Sequence, residues 1–487
     1  MKYLPIIYVR GYAGSDKDVE QAVEDPFYGF NHGSAHIRVG AEGNPEQFFF
    51  ESPLLRLITD HGYRPVFDHH QNQQLSKNPK SISIYRFYDE TTESWGSQRA
   101  IRLSMEQIAE GLRELINAVK FQTGAPKVYL IAHSMGGLVC RSLIQKIYPE
   151  RKEKAIDHID KLITYGTPHG GIHFDVGGGV IEKIIDTLKL NNMDDFGPRR
   201  MYEYLTPKTQ QKLLLPDDFD AQSLNNAFPA DRVFSIIGTN ARDYEVGGGL
   251  AQKTVGAQSD GLVQIEKAYV KESHRAYIHR THSGRYGMVN SEEAYQNLQR
   301  FLFGDIKVKL SLCNVALSDR NNTFYQMEVR SALRGLPVAI HEQSIAHYCP
   351  ITLELAREKP IPIFTAFMVP SYSATADSTC RYAIRLALHS FEKKARNWLF
   401  GSNIDQLPLW SDYLIVDVTP INGVYTAKYT WNYDSEEPHI PIIPNPKEDV
   451  FIADILLPER GKKVLGNQAR VHLEISPWNK GNGDGSD

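Results

Sequence analysis

Hydrophobic and polar positions along the chain follow two patterns that meet near residue 305. Before that point, short unbroken apolar runs alternate with stretches in which apolar residues recur every three or four positions. The runs at Pro5–Val9, Val128–Ile131, Lys161–Tyr165 and Arg232–Gly238, with shorter ones at Tyr63–Asp68, Ile82–Tyr88 and Ala276–Arg280, predict buried strands of a parallel sheet. Ile101, Met105, Ile108, Leu112, Leu115 and Val119 lie on one helical face, which ends at Gly124-Ala125-Pro126 just before the Val128 strand. Strand, helix and strand in that order make a crossover unit, so the expected sheet is parallel and covered on both sides. Ser52-Pro53 opens another helix that Gly62 closes, and Ser291-Glu292 begins one that runs through Leu298 and Phe301. Residues 15–46 are polar and glycine-rich and predict an irregular insertion over one face.

The alternation is also interrupted between about 172 and 230. Val180, Ile181, Ile184, Ile185 and Leu188 form an apolar helical stripe there, and Thr206-Pro207 starts a further short helical piece. An insertion between two sheet strands lies over the strand ends as a cap or lid, or adds a packing layer without gating. From about 305 the period changes to two: Ile306, Val308, Leu310 and Leu312 alternate with Lys307, Lys309 and Ser311. The same pattern returns at Tyr325–Val329, Ile384–Leu388, Tyr413–Val418, Val424–Trp431, Val450–Ile455 and Ala469–Ile475, with a short helix near Phe391–Leu399. The expected organisation is therefore an α/β domain over residues 1–304, a β-sandwich-like all-β domain over 305–478, and a disordered tail over 479–487.

One stretch carries more than architecture. Val128–Ile131 is followed by Ala132-His133-Ser134-Met135-Gly136, and Leu138, Val139, Leu143 and Ile144 then begin a helix with a buried face. A serine at the tip of a strand–turn–helix corner is a nucleophile elbow, where small residues let the strand and helix backbones approach. Ala132 stands where glycine is commoner, and a methyl group is tolerable there. In a doubly wound sheet, ligands bind beyond the carboxyl ends of the strands. Gly11–Gly14, Ser134, His169, Asp260 and His282 each follow a predicted strand and so fall at that edge. A serine hydroxyl becomes a nucleophile when an imidazole takes its proton, and the imidazole needs an acceptor to fix its tautomer. The chain order Ser, Asp, His is the one expected of α/β-hydrolases.

The motifs YVRGYAG, LIAHSMGG, YGTPHGG, SDGLV and THSG, in that order over residues 1–304, resemble the lipase/esterase group of the α/β-hydrolase superfamily, including bacterial lipases and GPI inositol-deacylase-like hydrolases. The resemblance implies Ser134 as nucleophile, Asp260 as acid and His282 as base. It implies an oxyanion hole built from the backbone N–H groups of Met135 and Tyr12, with Gly11 and His169 as candidates for the substrate pocket. Arg10-Gly11 stands where the family usually has His-Gly, which leaves Ala13 as the alternative donor to Tyr12. His279 sits within a strand pattern and Asp243 lacks the S-D-G-L-V context, so His282 and Asp260 are the favoured pair. His133 is read as packing, and His169 within T-P-H-G-G reads as structural as readily as substrate-facing.

Composition narrows the surroundings of this chemistry. The 487 residues are 41% hydrophobic and 23% charged, with a net charge of −4, which gives no general attraction to nucleic acid or anionic membrane. Cys140, Cys313, Cys349 and Cys380 are far apart and show neither metal spacing nor a disulfide framework. No His/Asp/Glu cluster has metal-site spacing, so no metal and no cofactor is implied. The N-terminal MKYLPIIYVRG has too short an apolar run for a signal peptide, and no run approaches the ~20 residues of a membrane span, so the expected location is cytoplasmic. The expected activity is cleavage of carboxylic esters of hydrophobic acyl substrates through an acyl-enzyme. A phospholipase or acyltransferase using the same residues is the alternative, and a non-catalytic binding protein on the same fold is a more distant one. The β-rich half is read as structural support, with peripheral contact to a lipid surface or a role in assembly as the other readings.

Overall fold

The computed structural model describes residues 3–11, 34–39, 45–50, 53–66, 78–85, 103–172, 196–243, 257–283, 286–317, 323–353, 359–373, 377–393, 404–421, 424–432, 438–445 and 450–479. The first strand, β1 (Ile6–Val9), is followed by an antiparallel hairpin of β2 (Ser34–Val39) and β3 (Pro45–Phe50). The hairpin corrects the expectation that residues 15–46 are irregular throughout. Helix α1 (Pro53–His61) ends at Gly62, whose φ of +70° is the left-handed conformation that glycine adopts without penalty. Strands β4 (Arg64–Val66) and β5 (Ser81–Tyr85) lead to α2 (Met105–Thr123).

Helix α2 is closed at both ends by its own sequence. Ser104 accepts from the Gln107 amide while the Gln107 side chain accepts from the Ser104 amide, a capping box, and Gly124 donates back to the Lys120 carbonyl from a left-handed conformation. The buried face of α2 consists of Met105, Ile108, Ala109, Leu112, Ile116 and Val119. Then come β6 (Val128–His133), α3 (Met135–Ser142, continued by a π turn over Leu143–Ile147), and β7 (Ile159–Tyr165). Helix α4 (Pro198–Leu205) precedes β8 (Val233–Gly238) and β9 (His274–Ile278), and α5 (Glu292–Phe303) follows.

The sheet runs in the order β4-β5-β1-β6-β7-β8-β9. Neighbours from β4 through β8 pair in parallel, with Val9 opposite Ala132 and His133 opposite Tyr165. β1, β6 and β7 are buried along nearly their whole length, which explains why their sequences are continuous apolar runs. This register brings the ends of β1, β6 and β7 level at one edge.

Helix α4 fell outside the sequence expectations, because PRRMYEYL looks polar. It nevertheless buries Met201, Tyr202, Tyr204 and Leu205. With Phe196, Leu224 and Phe228, the residues Met201, Tyr204 and Leu205 join the core built by Leu138, Val139 and Ile144 of α3 and its continuation. Residues 196–230 thus form a packing layer on the sheet domain. Lys208–Gln210 is the short helical piece expected after Thr206-Pro207, while the apolar stripe of 180–188 lies outside the described residues.

The chain divides into two compact units, one comprising residues 1–275 and 279–295, the other 276–278 and 296–487. In the second unit the strands are β10 (Ile306–Cys313), β11 (Thr323–Leu333), β12 (Ala339–Gln343), β13 (Ile351–Leu353), β14 (Ile361–Met368) and β15 (Cys380–Lys393). They are followed by β16 (Ile404–Ile421), β17 (Val424–Trp431), β18 (Ile440–Ile442), β19 (Pro444–Asn445), β20 (Val450–Leu456) and β21 (Arg470–Pro477), with α6 (Glu459–Leu465) before the last strand. Two antiparallel sheets, β14-β10-β21-β20-β19 and β12-β11-β15-β16-β17-β18, contribute to one core through Val308, Leu310, Phe364, Leu386, Leu414 and Leu473. Phe391 continues β15, where a short helix was expected, and its ring stacks on Phe324 at 5.0 Å. Asn479, assigned to the tail, donates to the carbonyls of Leu302 and Gly304. Among the described residues no helix is long and apolar enough to cross a membrane.

Candidate active site

Ser134 sits between the end of β6 and the start of α3 with φ 53° and ψ −128°, a conformation disfavoured for any residue with a Cβ. The turn is possible because glycines follow it at positions 136 and 137. A Cβ on Gly136 would stand 2.3 Å from the Val9 carbonyl oxygen, and one on Gly137 would meet the Thr167 side chain at 2.2 Å. The elbow is pinned from β7 as well. The Ser134 amide donates to the Tyr165 carbonyl at 2.9 Å, and the Thr167 hydroxyl donates to the Ser134 carbonyl at 2.9 Å.

His282 Nε2 lies 3.0 Å from Ser134 Oγ, and His282 Nδ1 lies 2.9 Å from Asp260 Oδ2. An ionised carboxylate only accepts, so Nδ1 carries the proton and Nε2 offers its lone pair to the serine hydroxyl. Asp260 is 1% exposed, and its other oxygen accepts from the amides of Leu262 at 3.0 Å and Val263 at 2.7 Å. These charge-assisted bonds offset the cost of burying the carboxylate. The S-D-G-L-V sequence supplies them locally, because Gly261 (φ +101°) turns the chain back over the aspartate.

The loop carrying His282 is fixed on several sides. Its amide donates to the Asp260 carbonyl at 2.8 Å, the Thr281 hydroxyl donates to Ser283 O, and Arg280 grips Glu293 of α5 through two bonds of 3.1 and 3.0 Å. Gly166, at φ +51°, passes closest to the pair: a Cβ there would stand 2.8 Å from Asp260 Oδ2 and 2.9 Å from His282 Nδ1. Both alternatives weighed from the sequence lie elsewhere. His279 is exposed, with Nδ1 3.3 Å from the Thr239 hydroxyl, and Asp243 is exposed and bonded to Asn240.

The remaining sequence candidates divide. Met135 is the first residue of α3, so its N–H has no acceptor within the helix and projects at the elbow tip. Gly11 packs on the elbow, with a Cβ there only 2.9 Å from Ser134 Cβ, whereas Tyr12 and Ala13 lie outside the described residues. His169 is fully buried, with Nε2 3.0 Å from the Thr164 hydroxyl, and burial and then Arg141 push its imidazole well below its ordinary value. Among the described residues no group of three or more His, Cys, Asp or Glu side chains is arranged to hold a metal ion. Sequence reasoning missed Thr167 and Arg141. The first could have been found from the G-T-P turn that faces the elbow; the second carries no local signal.

A seven-stranded, largely parallel sheet with an elbow serine, a histidine and a buried aspartate at its strand ends narrows the ancestry. The PGAP1-like alpha/beta domain family matches residues 1–181, and the lecithin:cholesterol acyltransferase family matches residues 101–282. Together the two matches, over residues 1–282, support the lipase/esterase superfamily of α/β-hydrolases. Solved structures similar to this α/β-hydrolase include the lin2722 gene product of Listeria innocua, at 14% identity over 62% of this chain and 94% of that one (TM-score 0.27). Bacillus licheniformis lipase BlEst2 is similar at 15% identity over 56% and 82% (TM-score 0.28), and phospholipase PlaB from Legionella pneumophila at 10% over 83% and 90% (TM-score 0.35). No curated protein matches the chain.

Proposed function

We propose that this α/β-hydrolase cleaves carboxylic esters of hydrophobic acyl substrates through an acyl-enzyme on Ser134. The supporting observation is the continuous hydrogen-bonded chain from Ser134 Oγ through His282 to Asp260, at 3.0 and 2.9 Å, with the serine held in the strained elbow conformation. As Ser134 Oγ bonds to the carbonyl carbon, its proton passes to His282 Nε2, and Asp260 stabilises the resulting imidazolium. The tetrahedral oxyanion is held by the N–H groups of Met135 and Tyr12. Collapse expels the alcohol with the proton from His282. Water then attacks the acyl-enzyme, losing a proton to His282, and Ser134 leaves with that proton restored.

A phospholipase or acyltransferase differs only in leaving group and acceptor. The lecithin:cholesterol acyltransferase match favours keeping this second reading, because residues 101–282 include Ser134, Asp260 and His282. Ser134→Ala lowers ester turnover by several orders of magnitude, on the order of 10⁶-fold. Retention of most activity by that variant contradicts the assignment. Mass spectrometry of products from a lipid and ester panel separates the readings: lysolipid with free fatty acid identifies a phospholipase, acyl-alcohol product an acyltransferase, and free acid from simple esters alone an esterase.

A further inference from the structure

Four polar contacts from described residues bear on His282. Two are on Asp260: its carbonyl accepts from the His282 amide at 2.8 Å, and its carboxylate accepts from Nδ1 at 2.9 Å. The third is Ser134 Oγ, 3.0 Å from Nε2. The fourth comes from the residue beside the serine, since His133 Nε2 lies 3.0 Å from the His282 backbone carbonyl oxygen. The two imidazole rings also pack, with centroids 4.9 Å apart at 38°.

The chemistry of that fourth contact is determinate. A carbonyl oxygen only accepts, so the His133 nitrogen facing it must carry a hydrogen. Burial first, and then His282 and Arg10, push the His133 imidazole down to about 3, so the ring stays neutral near pH 7. A neutral ring with hydrogen on Nε2 has none on Nδ1. The Nδ1 side faces the loop after β1, where a Cβ on Gly11 would come 3.3 Å from Nδ1 and 2.9 Å from Ser134 Cβ. His133 therefore lies between the Gly11 loop and the backbone of His282, while the next residue touches the His282 ring.

We propose that His133 is the positioning residue of His282, its Nε2–H holding the His282 carbonyl so that consecutive residues of the elbow grip the backbone and the ring of the base. This rests on the hydrolase reading of Ser134 and His282. Without the donor, the imidazole keeps its bond to Asp260 but loses the restraint that sets Nε2 against the hydroxyl. Misplacement of that kind costs rate rather than binding.

The test measures kcat and KM on a p-nitrophenyl ester, and the rate constant of inactivation by a fluorophosphonate, for wild type, His133→Ala and His133→Gln. Glutamine reaches about as far as imidazole Nε2 and keeps an N–H donor. The expected result is a fall in kcat of about 10- to 100-fold for His133→Ala with KM unchanged. An equal fall in inactivation rate accompanies it, and His133→Gln recovers most of the loss. A glutamine variant no better than alanine, or a loss carried by KM, overturns the proposal. A wild-type protein that neither turns over ester nor reacts with the fluorophosphonate overturns the hydrolase reading itself, and this proposal with it. A measurement on unsubstituted protein guards against misfolded variants: nitrogen chemical shifts of labelled histidine give His133 as the neutral Nε2–H tautomer from pH 5 to 8. The Nδ1–H tautomer, or titration within that range, contradicts the proposal.

Discussion

At the scale of single residues, the site depends on what is absent as much as on what is present. Gly166 has no Cβ, and one placed there would press between the Asp260 and His282 side chains at 2.8 and 2.9 Å while also straining a φ of +51°. Gly166→Ala is therefore expected to lower kcat by about 10²-fold or more, with a smaller fall in stability from the backbone strain. Steady-state kinetics alongside thermal unfolding checks it; an alanine variant with unchanged kcat contradicts the geometry. Ser134, Asp260 and His282 were legible as candidates because each follows a strand and a glycine marks each turn. The grip of His133 on the His282 carbonyl was not, because it joins positions 149 apart in sequence and uses a main-chain acceptor that no motif records.

At the scale of elements, the buried Arg141 of α3 ties the layer of residues 196–230 to the helix that begins at the elbow. Its guanidinium is fully buried and donates to the carbonyls of His169 at 3.1 Å, Ala221 at 2.6 Å and Ser223 at 2.8 Å, and to Gln145 Oε1 at 2.9 Å. Burial pushes it down to about 10, so it remains charged near pH 7, and carbonyl dipoles balance that charge. Arg141→Leu orphans these acceptors and is expected to cost about 3 kcal/mol or more in denaturant unfolding. Proteolysis at the exposed Leu213 and Leu214 should quicken in parallel. Equal stability and equal nicking would show that the layer holds without this anchor. The α4 helix was hidden in the sequence for a related reason: its buried face mixes tyrosines with Met201 and Leu205, and only Gly197-Pro198 signals its start. β14 was missed because Ile363, Phe364, Ala366, Phe367 and Met368 are all buried, which erases the alternation by which its neighbours were found.

At the scale of the whole molecule, pH is expected to act through buried and half-buried histidines before it acts through carboxylates. Burial pushes His133 and His169 below the ordinary value of 6.5, and it does the same to His158, aided by Lys120. As pH falls below 6.5 the unfolded chain binds protons that the folded chain refuses. Stability is thus greatest above 6.5 and declines as pH falls, by up to about 1.4 kcal/mol per pH unit for the fully buried His169 and by less for the half-buried His133 and the more exposed His158. Carboxylates such as Glu153, held down by its hydrogen bond from Arg113, add their loss only below 4.5. Unfolding measured from pH 7.5 to 5 should show the histidine part alone, with a shallower slope in His133→Gln; a flat profile contradicts the burial of these rings. The change of period at residue 305 made the all-β character of the second half legible, since alternation survives wherever one face of a sheet meets water. The division at 295 and 296 was not legible, because α5 runs through it with an unbroken helical pattern.

Peptide mapping after reaction of the folded protein with a fluorophosphonate decides whether Ser134 is an activated nucleophile. A single adduct per chain is expected on the peptide bearing Ser134, absent in Ser134→Ala and suppressed in His282→Ala. An adduct on another residue, or none in protein that still hydrolyses esters, would contradict it.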